Sequence, residues 1–143
     1  MADTNTNAKR PDDDTMNALA KTAMSLYQAK NNAEIQDILK SSYSPEAVFE
    51  DPVVYVHSGD IAAQFRALAA IFGKVEVNTE DMNPLPAPRT GMAIRNVQNY
   101  YIMGRALSIQ ATTELDMVEQ NGKWVVAKHH DVCVAISGSV VNA

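Results

Sequence analysis

The chain has 143 residues, 46% of them hydrophobic and 20% charged, a length and balance that fit one globular domain with a core of its own. Twelve Lys+Arg against seventeen Asp+Glu leave a net charge of −5. The basic residues are scattered, which argues against a surface for nucleic acid or an anionic membrane.

Residues 1–14 (MADTNTNAKRPDDD) have almost nothing to bury and lack the apolar stretch of a signal peptide, so they are expected to form a solvated tail on a cytoplasmic protein. No apolar run approaches the roughly 18 residues that span a bilayer. A single domain is expected over 15–138, followed by a short C-terminal tail over 139–143. Met16, Ala20, Ala23, Tyr27 and Lys30 fall at helical spacing, with Leu19 and Leu26 widening the stripe and Asp14 or Thr15 placed to cap it. A second helix starts at Asn31, with Glu34 three residues on as in a capping box, and carries Ile35, Ile38, Leu39 and Ser42 on one face. Pro45 ends that region. Ala47–Asp51 and Val53–Val56 then read as short extended segments broken by Pro52.

Ser58-Gly59-Asp60 signals the start of a third helix with the stripe Ile61, Phe65, Leu68, Ala69 and Phe72, and Gly73 ends it. From there the period switches to two, predicting strands near 74–81, 92–103, 105–119 and 123–137. The stretch Pro84–Pro88 holds three prolines and is a loop. Asn121-Gly122 is a two-residue hairpin turn. The order is three helices with a short strand pair inserted, then a four-strand meander: α+β.

A two-residue turn at Asn121-Gly122 sets the register so that opposed residue numbers sum to 243. Glu114 then faces His129, Thr112 faces Asp131 and Gln110 faces Cys133. The other side pairs Met117 with Val126, Ala111 with Val132, Ile109 with Val134 and Leu107 with Ile136. One face is polar and the other nearly all aliphatic. Two arrangements fit: the polar face meets water and the aliphatic face meets the helices, or the polar face lines a cavity and a second subunit covers the aliphatic one.

The helical start, the run Tyr43-Ser44-Pro45-Glu46-Ala47-Val48-Phe49-Glu50-Asp51-Pro52, the Gly59-led helix and the long-stranded meander together resemble the NTF2-like superfamily, including SnoaL-like cyclases and ketosteroid isomerases. The resemblance covers about residues 16–137. It implies a cone-shaped, curved antiparallel sheet wrapped around three N-terminal helices, a small hydrophobic ligand inside the cone, and a homodimer through the convex sheet face. In the isomerases the aspartate at Asp51 is the base. The first-helix tyrosine, matched by Tyr27, polarises the ligand carbonyl, together with an acid that aligns with Glu114. Tyr43 matches a family tyrosine, and Leu68 stands where the isomerases have another. The ending Trp124…His129-His130-Asp131 is similar to the W…H-x-D ending of SnoaL-like proteins. On this footing Phe49, Phe65, Leu68, Tyr43, His57 and Thr112 are expected to touch the ligand.

Each of these residues has a plainer role available. Asp51 either is a base desolvated by its apolar neighbours or caps a turn before Pro52. The Tyr27 hydroxyl needs an interior partner, a ligand oxygen or another tyrosine. His129 beside Glu114 and Asp131 either shuttles a proton or sits at an exposed edge, and His57 either overhangs the cavity or is solvated. No two of the three histidines have helical ligand spacing, and adjacent His129 and His130 point to opposite faces of a strand, so no metal is expected. Cys133 is the single cysteine and cannot form an internal disulfide. The low aromatic content, 6%, argues against a stacked flat cofactor. The sequence thus points to cofactor-free proton transfer on a small apolar ligand, or to a non-catalytic module of the same fold that carries a ligand or holds a protein.

Overall fold

A computed structural model of the protein describes residues 10–51, 55–57 and 59–140. Helix α1 runs Asp13–Met24 and continues as a 3-10 turn, Ser25–Gln28; α2 is Asn32–Ser42 and α3 is Gly59–Ile71. The strands are β1 (Tyr43–Glu50), β2 (Tyr55–His57), β3 (Lys74–Pro84), β4 (Gly91–Ile102), β5 (Arg105–Gln120) and β6 (Lys123–Val140). Among the described residues, no helix is long and apolar enough to cross a membrane.

The local signals act much as expected. The Asn31 side chain accepts from the Glu34 N–H at 2.9 Å while Glu34 Oε2 reaches back to the Lys30 N–H at 2.8 Å, a reciprocal cap displaced by one residue. At α1 the cap is Asp12, which takes the Thr15 N–H at 2.7 Å, so the helix starts earlier than the Asp14 or Thr15 caps would place it. Tyr27 belongs to the 3-10 turn rather than to the helix proper. Pro45 does not end a helix but lies inside β1. The β1–β6 pairing is irregular between Tyr43 and Val48, so its missing N–H interrupts no regular ladder there. Asn121 and Gly122 have φ of 54° and 77°, the backbone of a tight hairpin turn.

Among the described residues the sheet has six strands in the order β2-β1-β6-β5-β4-β3. Strands β3 to β6 form the antiparallel meander, but β1 pairs with β6 in parallel, so the sheet is mixed rather than wholly antiparallel. The helices pack on one face of the sheet, burying Met16, Leu26, Ile35, Ile61 and Phe65 against Ile94, Leu115, Met117 and Val126.

The hairpin register departs from its expected course within a few residues of the turn. Met117 pairs with Val126, as the sum of 243 requires, but the next pair is Asp116 with Lys128, so Ala127 is extra. A second shift leaves Val134 extra between the pairs Ala111–Cys133 and Gln110–Ala135. Each bulge bends and twists the strand, which helps curve the sheet around the helices. A slip of one residue exchanges the partners on every pair beyond it. Leu115, not Glu114, is therefore opposite His129, and Thr113, not Thr112, is opposite Asp131. The expected separation into one polar and one aliphatic face does not hold.

Candidate functional site

Inside the bulged register, His129 and Asp131 turn towards the helices. His129 is fully buried, with Phe49 edge-on at 5.0 Å between ring centroids and the Tyr43 ring stacked at 6.1 Å. The Tyr43 hydroxyl lies 2.6 Å from its Nδ1 and the Tyr27 hydroxyl 2.8 Å from its Nε2. Tyr27 also donates to Asp131 Oδ2. The other carboxylate oxygen accepts from Thr113 Oγ1 at 2.5 Å. Behind Thr113 the line continues along alternate residues of β4: Asn96 Nδ2 donates to Thr113 at 3.0 Å, Gln98 Nε2 to Asn96 Oδ1 at 3.0 Å, and Tyr100 to Gln98 Oε1 at 2.5 Å.

The direction of donation follows from these partners. Tyr27 spends its one hydrogen on Asp131, so it must accept from Nε2–H of His129, and Nδ1 must accept from Tyr43. Burial favours this neutral imidazole by lowering its pKa, against the opposing pull of Asp131. Burial also holds the Tyr27 and Tyr43 hydroxyls well above the ordinary tyrosine value, with the Asp131 charge adding to it, so both stay protonated donors. Tyr100 is raised by the same causes. From both ends, then, every donor in the line points towards Asp131. No buried side-chain polar atom among the described residues lacks a partner.

Asp131 is 7% exposed, and what it faces is a cavity of about 190 Å³. Aromatic and aliphatic side chains make most of its wall, including Phe49, Phe65, Leu68 and Ile109. The polar groups reaching it are Asp51, Asp131, Tyr27, Tyr100, Gln64 and Gln98, together with Cys133, and among the described residues no Lys, Arg or His lines it. Ile136, 63% exposed, also borders the space, so the cavity communicates with solvent on that side. Among the described residues no group of three or more His, Cys, Asp or Glu is placed to hold a metal ion.

No protein-family model and no curated protein matches the sequence. Solved structures do match the fold. LinA aligns with a TM-score of 0.73 at 9% identity, over 91% of this chain and 92% of its own. A putative isomerase of the SnoaL-like family from Agrobacterium tumefaciens aligns at 0.62 and 10% identity, over 85% and 99%. Nuclear transport factor 2 from Cryptosporidium parvum aligns at 0.60 and 14% identity, over 85% and 94%. The fold is that of the NTF2-like superfamily. At such identities the likeness concerns the cone and leaves the chemistry to the residues inside it.

Set in the NTF2-like cone, the residues singled out from sequence divide cleanly. Asp51, Tyr27, Phe49, Phe65, Leu68 and Asp131 meet at the cavity. His129 lies one layer behind, and Tyr43 lies behind His129 rather than against the cavity. Thr112 and Glu114 are carried out of the group by the bulge at Ala127. Glu114 sits across the sheet from it, 2.9 Å from Arg89, which also grips Asp116 through two nitrogens at 3.1 and 3.2 Å. The side chain of His57 lies outside the described residues. Met92, Ile94 and Met117 belong to the core, while Ile102 and Met103 are exposed at the β4–β5 turn.

Thr113, Asn96, Gln98 and Tyr100 join the candidate site through this line, and the sequence motifs do not point to them. A signal existed for three of them: Asn96-x-Gln98-x-Tyr100 places polar groups at period two in a strand whose neighbours Met92 and Ile94, on the same face, are apolar. Polar residues continuing an apolar face mark a buried network.

Proposed function

We propose that the protein binds a small, mainly apolar, oxygen-bearing molecule in its cone cavity and moves a proton on it without a cofactor, as an isomerase, cyclase or dehydratase does. Asp131 is the base, Asp51 is a second acid/base group on the same cavity, and the Gln98 and Gln64 amides are the donors for a ligand oxygen. One observation carries this reading: hydroxyl donors converge from two sides on one buried carboxylate, Asp131, that faces a mainly apolar space. Such an arrangement fixes a base in place before the ligand arrives.

Roles assigned from sequence change in consequence, beginning with the base, which is Asp131 rather than Asp51. Tyr27 has its hydrogen committed to Asp131, so its work is to orient the base rather than to polarise a carbonyl. Glu114 takes no part, because it faces Arg89 across the sheet. A homodimer is also proposed, seated on the exposed aliphatic residues Val132 and Val134 of β6.

The experiment is proton exchange into a panel of 3-oxo steroids and small polyketide-like ketones in deuterated water, followed by NMR. Wild type is expected to label the carbon next to the carbonyl, and Asp131→Asn to do so about 100-fold more slowly or worse. Binding without labelling supports instead a module that carries its ligand unchanged.

A further inference from the structure

The hydrogen-bonded line has an end that the cavity does not use. Tyr43 lines a separate hollow of about 320 Å³, bounded by α2, the start of β1 and α3, with Leu39, Lys40 and Ile61 among its walls. Tyr27 and Asp131 line the cavity. Three consecutive hydrogen bonds, Tyr43 to His129, His129 to Tyr27 and Tyr27 to Asp131, therefore connect two openings in the protein through its core. Each member can both give and take a proton, and the imidazole does so through its two different nitrogens. The other arm, through Thr113, Asn96 and Gln98, contains amides and is not built for passage.

We propose that Tyr43, His129 and Tyr27 form a proton relay between Asp131 and solvent in the hollow at Tyr43. This rests on the reading of Asp131 as an acid/base group. The relay returns a proton to Asp131 while the ligand still fills the cavity and excludes water from it. When Asp131 has given a proton to the ligand, the Tyr27 hydroxyl proton passes to the carboxylate as the Nε2 proton of His129 moves to the Tyr27 oxygen. The Tyr43 hydroxyl proton moves to Nδ1, and water returns a proton to the Tyr43 oxygen. Asp131 has gained one proton, water has lost one, and the imidazole carries its proton on Nδ1 instead of Nε2. The starting state has Nε2–H donating to Tyr27, Tyr27 donating to Asp131 and Tyr43 donating to Nδ1. That is the donor arrangement the structure holds.

The test needs no substrate. In the ¹⁵N-labelled protein, exchange of the His129 ring N–H with solvent is measured by NMR, in wild type and in Tyr43→Phe. A relay predicts that removing the hydroxyl slows exchange by about tenfold or more, because nothing then replaces at Nδ1 the proton that Nε2 gives to Tyr27. A purely structural Tyr43 predicts the reverse, since loss of a buried hydrogen bond loosens the core and speeds exchange; unchanged or faster exchange overturns the proposal. If Tyr43→Phe does not fold, the wild-type rate is followed through sub-denaturing urea. Exchange that stays flat supports the relay, and exchange that climbs from the first addition overturns it. Failure of the ketone panel would remove the acid/base reading; failure here would leave Asp131 an acid/base group without this proton supply.

Discussion

The Tyr43 hydroxyl stands 2.6 Å from Nδ1 of His129, and that contact selects the tautomer on which the site depends. With Nδ1 accepting, Nε2 carries the hydrogen, the Tyr27 oxygen is occupied from behind, and the Tyr27 hydrogen is directed onto Asp131. A tyrosine outside the cavity thus sets the orientation of a carboxylate inside it.

Truncating the middle of this line is expected to cost stability as well as function. Tyr27→Phe leaves Nε2–H of His129 and one lone-pair direction of Asp131 without their partner, which costs about 1–3 kcal/mol for each buried group left unsatisfied. Urea unfolding of the variant checks it; a midpoint equal to wild type would contradict the network as described.

Stability should fall on mild acidification. Burial depresses the His129 pKa in the folded state, so the native imidazole stays neutral where that of the unfolded chain, near 6.5, begins to bind a proton. The unfolded state then holds more protons, and stability is lost as pH drops below about 6.5, by up to about 1.4 kcal/mol per pH unit for one such group. The observable is the urea midpoint between pH 7.5 and 5.5, and a flat profile would show that His129 is not buried neutral.

Glu114 and Asp51 separate the two sides of the sheet. Glu114→Gln is expected to leave turnover in the ketone assay within twofold of wild type and to change stability by less than about 1 kcal/mol, because its pair with Arg89 is solvent-screened. Asp51→Asn, at the cavity, is expected to lower turnover by about tenfold or more. Equal effects of the two would mean that Glu114 also acts at the cavity.

Gly91 opens β4 where the chains touch. Its φ is +149°, and a Cβ there would lie 1.8 Å from the Leu115 carbonyl oxygen, so Gly91→Ala must push two strands apart. A loss of more than about 2 kcal/mol in unfolding is expected.

Homodimer formation is checked by light scattering at micromolar concentration. Wild type is expected to show twice the chain mass, and Val134→Asp, a charge at a residue 68% exposed, to return it to a monomer.

How much of this was legible beforehand depended on the range of the interactions. Helix stripes such as Met16–Ala20–Ala23, the Asn31–Glu34 cap and the Asn121-Gly122 turn are set by neighbours a few residues apart, so the sequence by itself determined them, and with them the α+β order and the likeness to the NTF2-like cone. Tyr27, Asp51 and Asp131, singled out from sequence as catalytic candidates, line the cavity. What the sequence could not determine was the partner of each. Ala127 carries none of the glycine or proline signals of a bulge, yet one extra residue there moves Glu114 and Thr112 away from the cavity face and brings Thr113 and Leu115 onto it. Only the tertiary structure decided this. Strand faces alternate every residue, so a single slip fixed by contacts between β5 and β6 and by the parallel neighbour β1 outweighs the register that the turn sets locally.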